Sequence, residues 1–114
     1  MSHRVERFSS TLKQVLADIL LNEINDPHLR TVSITDVIVS PDLRKARVFI
    51  TDATGTDSAH DNTPELLERL EHAKGFIKKT LGQRMYLKYI PQISFLQDEI
   101  MAPQRNSPAI NGNE

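Results

Sequence analysis

The hydrophobic periodicity of this chain predicts a two-layer α+β domain: a three-stranded sheet with helices on one face, in the order α-β-β-α-kink-α-β. Three observations carry that reading. An apolar stripe at helical spacing opens the chain. Two short β-type runs follow, joined by Ser40-Pro41-Asp42-Leu43. A glycine-interrupted helical stretch then leads into one further strand. The 114 residues suit one domain, and a hydrophobic share of 39% suffices for one modest core.

Residues 4 to about 22 read as an amphipathic helix. Val5, Phe8, Leu12, Val15, Leu16, Ile19 and Leu20 form its apolar stripe, with Arg7, Gln14 and Asp18 opposite. Ser2 is a candidate cap. The rhythm decays across Asn22–Asp26, and Pro27 forbids simple continuation. Residues 31–51 read as a β-hairpin. Val32 and Ile34 alternate with Thr31, Ser33 and Thr35. The run Val37-Ile38-Val39 breaks strict alternation, which predicts a bulge there or a strand buried on both faces. Pro41 presets φ for the turn, and Asp42 tolerates the next position. On the return strand Ala46, Val48 and Ile50 share one face, and Lys45, Arg47, Phe49 and Thr51 the other.

Residues 52–63 hold no hydrophobe larger than alanine and read as a polar loop. Thr63 as N-cap, Pro64 at the first helical position and Glu65 in the first turn then start a helix. Its apolar phase runs through Leu66, Leu70, Ala73, Ile77 and Leu81, and Gly82 is placed to close it. Gly75 lies inside. An interior glycine costs about 1 kcal/mol relative to alanine, so the spacing predicts a kink dividing helices 64–73 and 76–81. Residues 85–96 read as the third strand, with Leu87, Tyr89, Ile90, Ile93 and Phe95. Pro91 assigns it to an edge or a bulge. Residues 1–100 are thus expected to form the domain. Residues 101–114, rich in Pro, Asn and Gly, are expected to form a disordered tail.

The formal charge is only -1, yet it is polarised. Between 52 and 71, six acids stand against Arg69 alone. Between 73 and 96, Lys74, Lys78, Lys79, Arg84 and Lys88 meet no acid. Further basic groups are Arg44, Lys45 and Arg47 on the hairpin, and Arg4 and Arg7 on the first helix. Lys74 and Lys78 carry like charge at i,i+4, which disfavours a helix. That face is either arranged for an external anion or is a solvated charged surface. A helix beginning after Gly75 would add free backbone N–H groups for phosphate. Phe8 and Phe95 fit core positions, while Phe49 and Tyr86 could be exposed. No strand is rich enough in aromatics for a base-stacking sheet.

Other chemistries are missing. There is no cysteine, so disulfide scaffolds and thiolate sites fall away. His3, His28, His60 and His72 lack metal-ligand spacing, and four glycines make no phosphate cradle. No apolar run reaches the roughly 18 residues of a membrane span, and the N-terminus has no secretory h-region. The expectation is a cytoplasmic monomer with no catalytic residue, no cofactor, no metal and no membrane partner. An adaptor that binds another protein through the acidic segment 52–71 is the alternative class.

Taken together, RVERFSSTLKQVLADIL, INDPHLRTVSITDVIVSPDLRKARVFIT and LLERLEHAKGFIKKTLGQRMYLKYIPQISFLQDEI resemble the bacterial ribosome-binding factor A family, from about residue 4 to 100. The resemblance implies a KH-like fold of the type II order. It implies an assembly factor that associates with free 30S small ribosomal subunits and supports late maturation and processing of 16S rRNA near its 5′ end. It also implies a role in cold growth and release helped by a small-subunit GTPase. Ordinary KH domains clamp nucleic-acid backbone with Gly-x-x-Gly. Here Ala73-Lys74-Gly75 stands instead, so the clamp is not carried over. RNA phosphates are expected on Lys74, Lys78, Lys79, Arg84 and Lys88, with Arg44, Lys45, Arg47, Arg4 and Arg7 as secondary contacts.

Overall fold

A computed structural model describes residues 3–54 and 62–99. Ser2, the middle of the 52–63 loop and the expected 101–114 tail lie outside the described residues. Helix α1 (His3–Asp18) widens into a π-helical turn, Ile19–Glu23, where the Ile24 N–H donates to the Ile19 carbonyl. The wider turn lets Ile19, Leu20 and Ile24 all be buried before Pro27 breaks the chain. Asp26 then caps a 3₁₀ turn, Pro27–Thr31, by accepting from the His28 N–H.

Strands β1 (Val32–Val39) and β2 (Lys45–Asp52) form the expected antiparallel hairpin. The Leu43 N–H donates to the Ser40 carbonyl at 2.9 Å, closing the turn. The bulge lies earlier than expected. Ile34 faces Ile50 and Asp36 faces Phe49, leaving Thr35 as the extra residue. Its hydroxyl lies between the Phe49 carbonyl and the Asp98 carboxylate, which share its single proton. Val37 and Val39 are buried with Ile38 exposed, so that run alternates after all. Ala46, Val48 and Ile50 point to the core, as the alternation predicts.

Helix α2 runs from Thr63 to Met85 without interruption. This corrects the predicted pair of helices and the kink. Gly75 is an exposed position of one continuous helix, and nothing lies within 4 Å of where its Cβ would be. The buried phase Leu66, Leu70, Ile77, Leu81 continues straight through it, and that packing outweighs one unfavourable residue. The N-cap is Asn62, one residue before the predicted Thr63, which is itself buried. Nor does Gly82 end the helix. Tyr86 does so in the left-handed conformation (φ 55°), with the Leu87 N–H returning to the Gly82 carbonyl at 3.0 Å. Gly82 allows Ile90 to pack closely: a Cβ there would stand 2.8 Å from Ile90 Cδ1, so that side chain would have to shift.

The third strand is accordingly shorter than predicted. Residues 86–91 are a loop folded back on α2, and β3 spans Gln92–Gln97. It pairs in parallel with β2 at the sheet edge, in the order β1-β2-β3, and Pro91 falls just before it. Both helices cover one face. Leu12 and Leu16 from α1 and Leu66, Leu70, Ile77 and Leu81 from α2 meet Val37, Val48, Ile50, Ile93 and Phe95 of the sheet.

Candidate nucleic-acid interface

The N-terminal turn of α1, the β1–β2 turn, the middle of α2 and the 86–91 loop surround a groove of about 930 Å³. Arg4, Arg44, Lys45, Lys78 and Lys88 line it, with Asp42 the one acid among its described lining residues. They come from four separate segments, so no single stretch of sequence reveals the cluster. The turn fixes two of them. Ser40 Oγ donates to the Asp42 carboxylate, and the Arg44 N–H donates to the same oxygen, holding that carboxyl below its ordinary value. The Lys45 N–H donates to Ser40 Oγ, and the Gln92 N–H to the Arg44 carbonyl. Lys78 lies half-buried on the flank of α2 that faces the 86–91 loop. Among the described residues, none of the five has a carboxylate within ion-pair distance. Lys88 instead sits 5.9 Å from the Tyr89 ring centre, and Tyr89 is 80% exposed.

The other basic residues named from the sequence lie elsewhere. Arg7 is next to this groove, in an adjoining pocket that it shares with Arg4. Arg47 is on the uncovered sheet face, over Phe49 at 5.9 Å. Lys79 is exposed, turned about 100° around α2 from Lys78. Lys74 Nζ is 3.0 Å from Glu71 and lies over the Phe95 ring. Ala73 and Gly75 offer no loop and no free N–H groups, because the helix is continuous there. Arg84 faces α1, paired with Asp18 (2.9 Å) and with Glu23. Hydrogen bonds from Arg84 and Asn22 hold the Asp18 carboxyl below its ordinary value.

On that flank Arg69 also pairs with Asp26 and Glu65, both at 3.2 Å. Burial raises the Asp26 carboxyl, but bonds from the His28 N–H, the Arg69 guanidinium and the His28 ring outweigh it, and the net direction is down. The two arginines of α2 thus serve to dock α1 and its extension, while the groove's cations remain available to an anion.

Sequence reasoning does not single out the apolar and aromatic groove residues: Phe8 reads as a core position, and it does pack against the core while one side lines the groove, whereas Leu87, Tyr89 and Ile90 read as strand and lie in the loop. The alternation of aromatic and basic residues in Tyr86-Leu87-Lys88-Tyr89 was the available signal. No group of three or more His, Cys, Asp or Glu among the described residues could hold a metal ion. No helix among them is long and apolar enough to cross a membrane.

Residues 4–109 match the family model of ribosome-binding factor A. A relative from Syntrophus aciditrophicus (strain SB), named ribosome-binding factor A, is 44% identical over 99 residues, which is 87% of this chain and 77% of the relative. The fold matches the crystal structure of ribosome-binding factor A from Thermus thermophilus, with TM-score 0.66 and 20% identity. That match covers 82% of this chain and 94% of the other. It also matches the solution NMR structure of a Thermotoga maritima protein proposed to be a ribosome binding factor A, with TM-score 0.70 and 27% identity, over 92% and 97% of the two chains. A third match is a Thermus thermophilus RbfA homology model fitted into a cryo-EM map of a 30S–RbfA complex. Its TM-score is 0.61 at 22% identity, over 81% of this chain and 92% of that one. The shared architecture is KH-like.

Proposed function

Because the chain belongs to the ribosome-binding factor A family, we propose that it binds the free 30S subunit in the cytoplasm and supports late maturation of 16S rRNA near its 5′ end. It does so by binding, without catalysing a reaction, and leaves with the help of a small-subunit GTPase. The observation that carries the RNA contact is the groove: five cations from four segments line it beside a single acid, Asp42, and among the described residues none of the five has a carboxylate within ion-pair distance. RNA backbone offers one anion per nucleotide, and A-form or irregular RNA is gripped mainly through phosphate and shape. Arg4, Arg44, Lys45, Lys78 and Lys88 are the principal contacts, with Arg7 beside them. Lys74, Lys79, Arg47 and Arg84 contribute less.

Sucrose-gradient sedimentation tests this reading. The protein should travel with free small subunits, and ribonuclease should release it. Five phosphate contacts give a log–log salt slope of about -3 to -4. The combined variant Lys45→Ala, Lys78→Ala, Lys88→Ala should shift to the top of the gradient and lose about two units of that slope. Lys74→Ala with Lys79→Ala should change the slope less. A triple variant that sediments like the wild type, with the same salt response, would overturn the assignment. Binding that survives ribonuclease would favour the adaptor reading.

A further inference from the structure

Next to the basic groove is a second pocket of about 560 Å³, lined by Phe8, Leu43, Met85 and Leu87 together with Arg4 and Arg7. It shares Arg4, Phe8, Leu43 and Leu87 with the groove, so the two form one continuous depression. Its walls are mostly apolar, and its charged residues are both cations. Two backbone features shape it. Leu43 is held at φ 62° and is half-buried in both pockets, and Tyr86 at φ 55° turns the chain so that Leu87 enters the lining. These are the described residues other than glycine with positive φ, and such strain persists where the surrounding structure fixes it, often at ligand sites.

We infer that this pocket receives one unpaired RNA base, with the flanking phosphates held by Arg7 and Arg4 at the pocket and by the cations of the adjoining groove. The inference rests on the RNA-binding reading above and says which form of RNA the site takes. An unpaired nucleotide combines a flat apolar face with an anion on each side, which matches an apolar pocket bordered by cations. A base inside a duplex cannot enter, because its faces are stacked on its neighbours. Aromatic rings are among the usual stacking partners of such bases, and Phe8 supplies one in the pocket lining. The Ala73–Gly75 stretch takes no part.

Thr11 is exposed and also borders this pocket, so Thr11→Phe fills it without removing a cation. Thr11→Leu is a second filler, and Thr11→Ser a control. Binding to 30S subunits is measured with base-specific chemical probing of the rRNA by dimethyl sulfate and a carbodiimide. The wild type should protect a base that is unpaired and reactive in the free subunit. Both fillers should restore its reactivity and weaken binding roughly 5- to 160-fold, the usual range for one stacked base, with the salt slope unchanged. Fillers that bind and protect like the wild type would overturn the inference and leave the RNA-binding reading standing. Weaker binding with no base protected would mean that a peptide occupies the pocket, which also overturns it. Failure of the wild type to bind subunits would remove the functional reading itself.

Discussion

A methyl group added at Gly75 meets nothing within 4 Å, whereas at Gly82 it stands 2.8 Å from Ile90 Cδ1. Gly75→Ala should therefore raise stability by about 0.5–1 kcal/mol in urea titration. Gly82→Ala should gain less, because Ile90 has to move. Asp52, 5% exposed at the end of β2, accepts from the Thr54 N–H (2.9 Å) and hydroxyl (2.7 Å). Burial raises its carboxyl, but bonds from Thr54 and Asn62 outweigh it and leave it below the ordinary value of 3.8. Asp52→Ala should cost about 1–3 kcal/mol, read as a lower urea midpoint. The pH dependence follows the same sign. Asp18, Asp26, Asp42 and Asp52 all have lowered folded values, so the unfolded chain binds more protons. Their stabilisation is complete above the ordinary carboxylate range and is lost as pH falls through the folded values. Thermal midpoints should drop below about pH 4, and Asp26→Asn or Asp52→Asn should flatten that drop.

Elements with one unambiguous period were legible from residue order alone. The stripe of α1, the two faces of β2 and the Ser40–Leu43 turn all stand as read. Where local and tertiary preferences conflict, the reading failed for a physical reason. Gly75 and Gly82 both look like breaks locally, yet Ile77 and Leu81 bury on the same side as Leu66 and Leu70, so packing keeps the helix whole. Continuing α2 to Met85 takes residues away from the expected third strand and puts Leu87, Lys88 and Tyr89 into the loop that borders the groove. Arg69 and Arg84 hold this long helix against the α1 side. Arg84→Ala should lower the thermal midpoint slightly, and more in low salt than in high salt, because exposed pairs are weak and screened.

Across the molecule, the basic residues fall into paired and unpaired sets. Arginines facing α1 are paired with Asp18, Glu23, Asp26 and Glu65, while the groove's cations are unpaired among the described residues. A net charge of -1 therefore conceals a directed field, which favours approach to an anionic surface groove-first. Association rates with small subunits should fall steeply with ionic strength, and Lys45→Glu with Lys78→Glu should abolish most of that dependence in stopped-flow measurements. The charge asymmetry was readable in the sequence. Which cations meet was not, because that depends on the turn, the helix flank and the loop being brought together by the fold.

The parallel pairing of β2 with β3 sets the order in which this protein can mature. Lys45 meets Gln92 and Ile50 meets Gln97, and all of α2 lies between the two strands in the chain, so the pairing forms only after α2 has been synthesised. Ile93 and Phe95, the last core residues among those described, arrive with that strand. During synthesis the nascent chain must wait, with its hairpin one strand short, until β3 clears the exit tunnel. A chain arrested before Gln92 should be digested by protease, and one extended past Gln97 by a linker long enough to span the tunnel should resist.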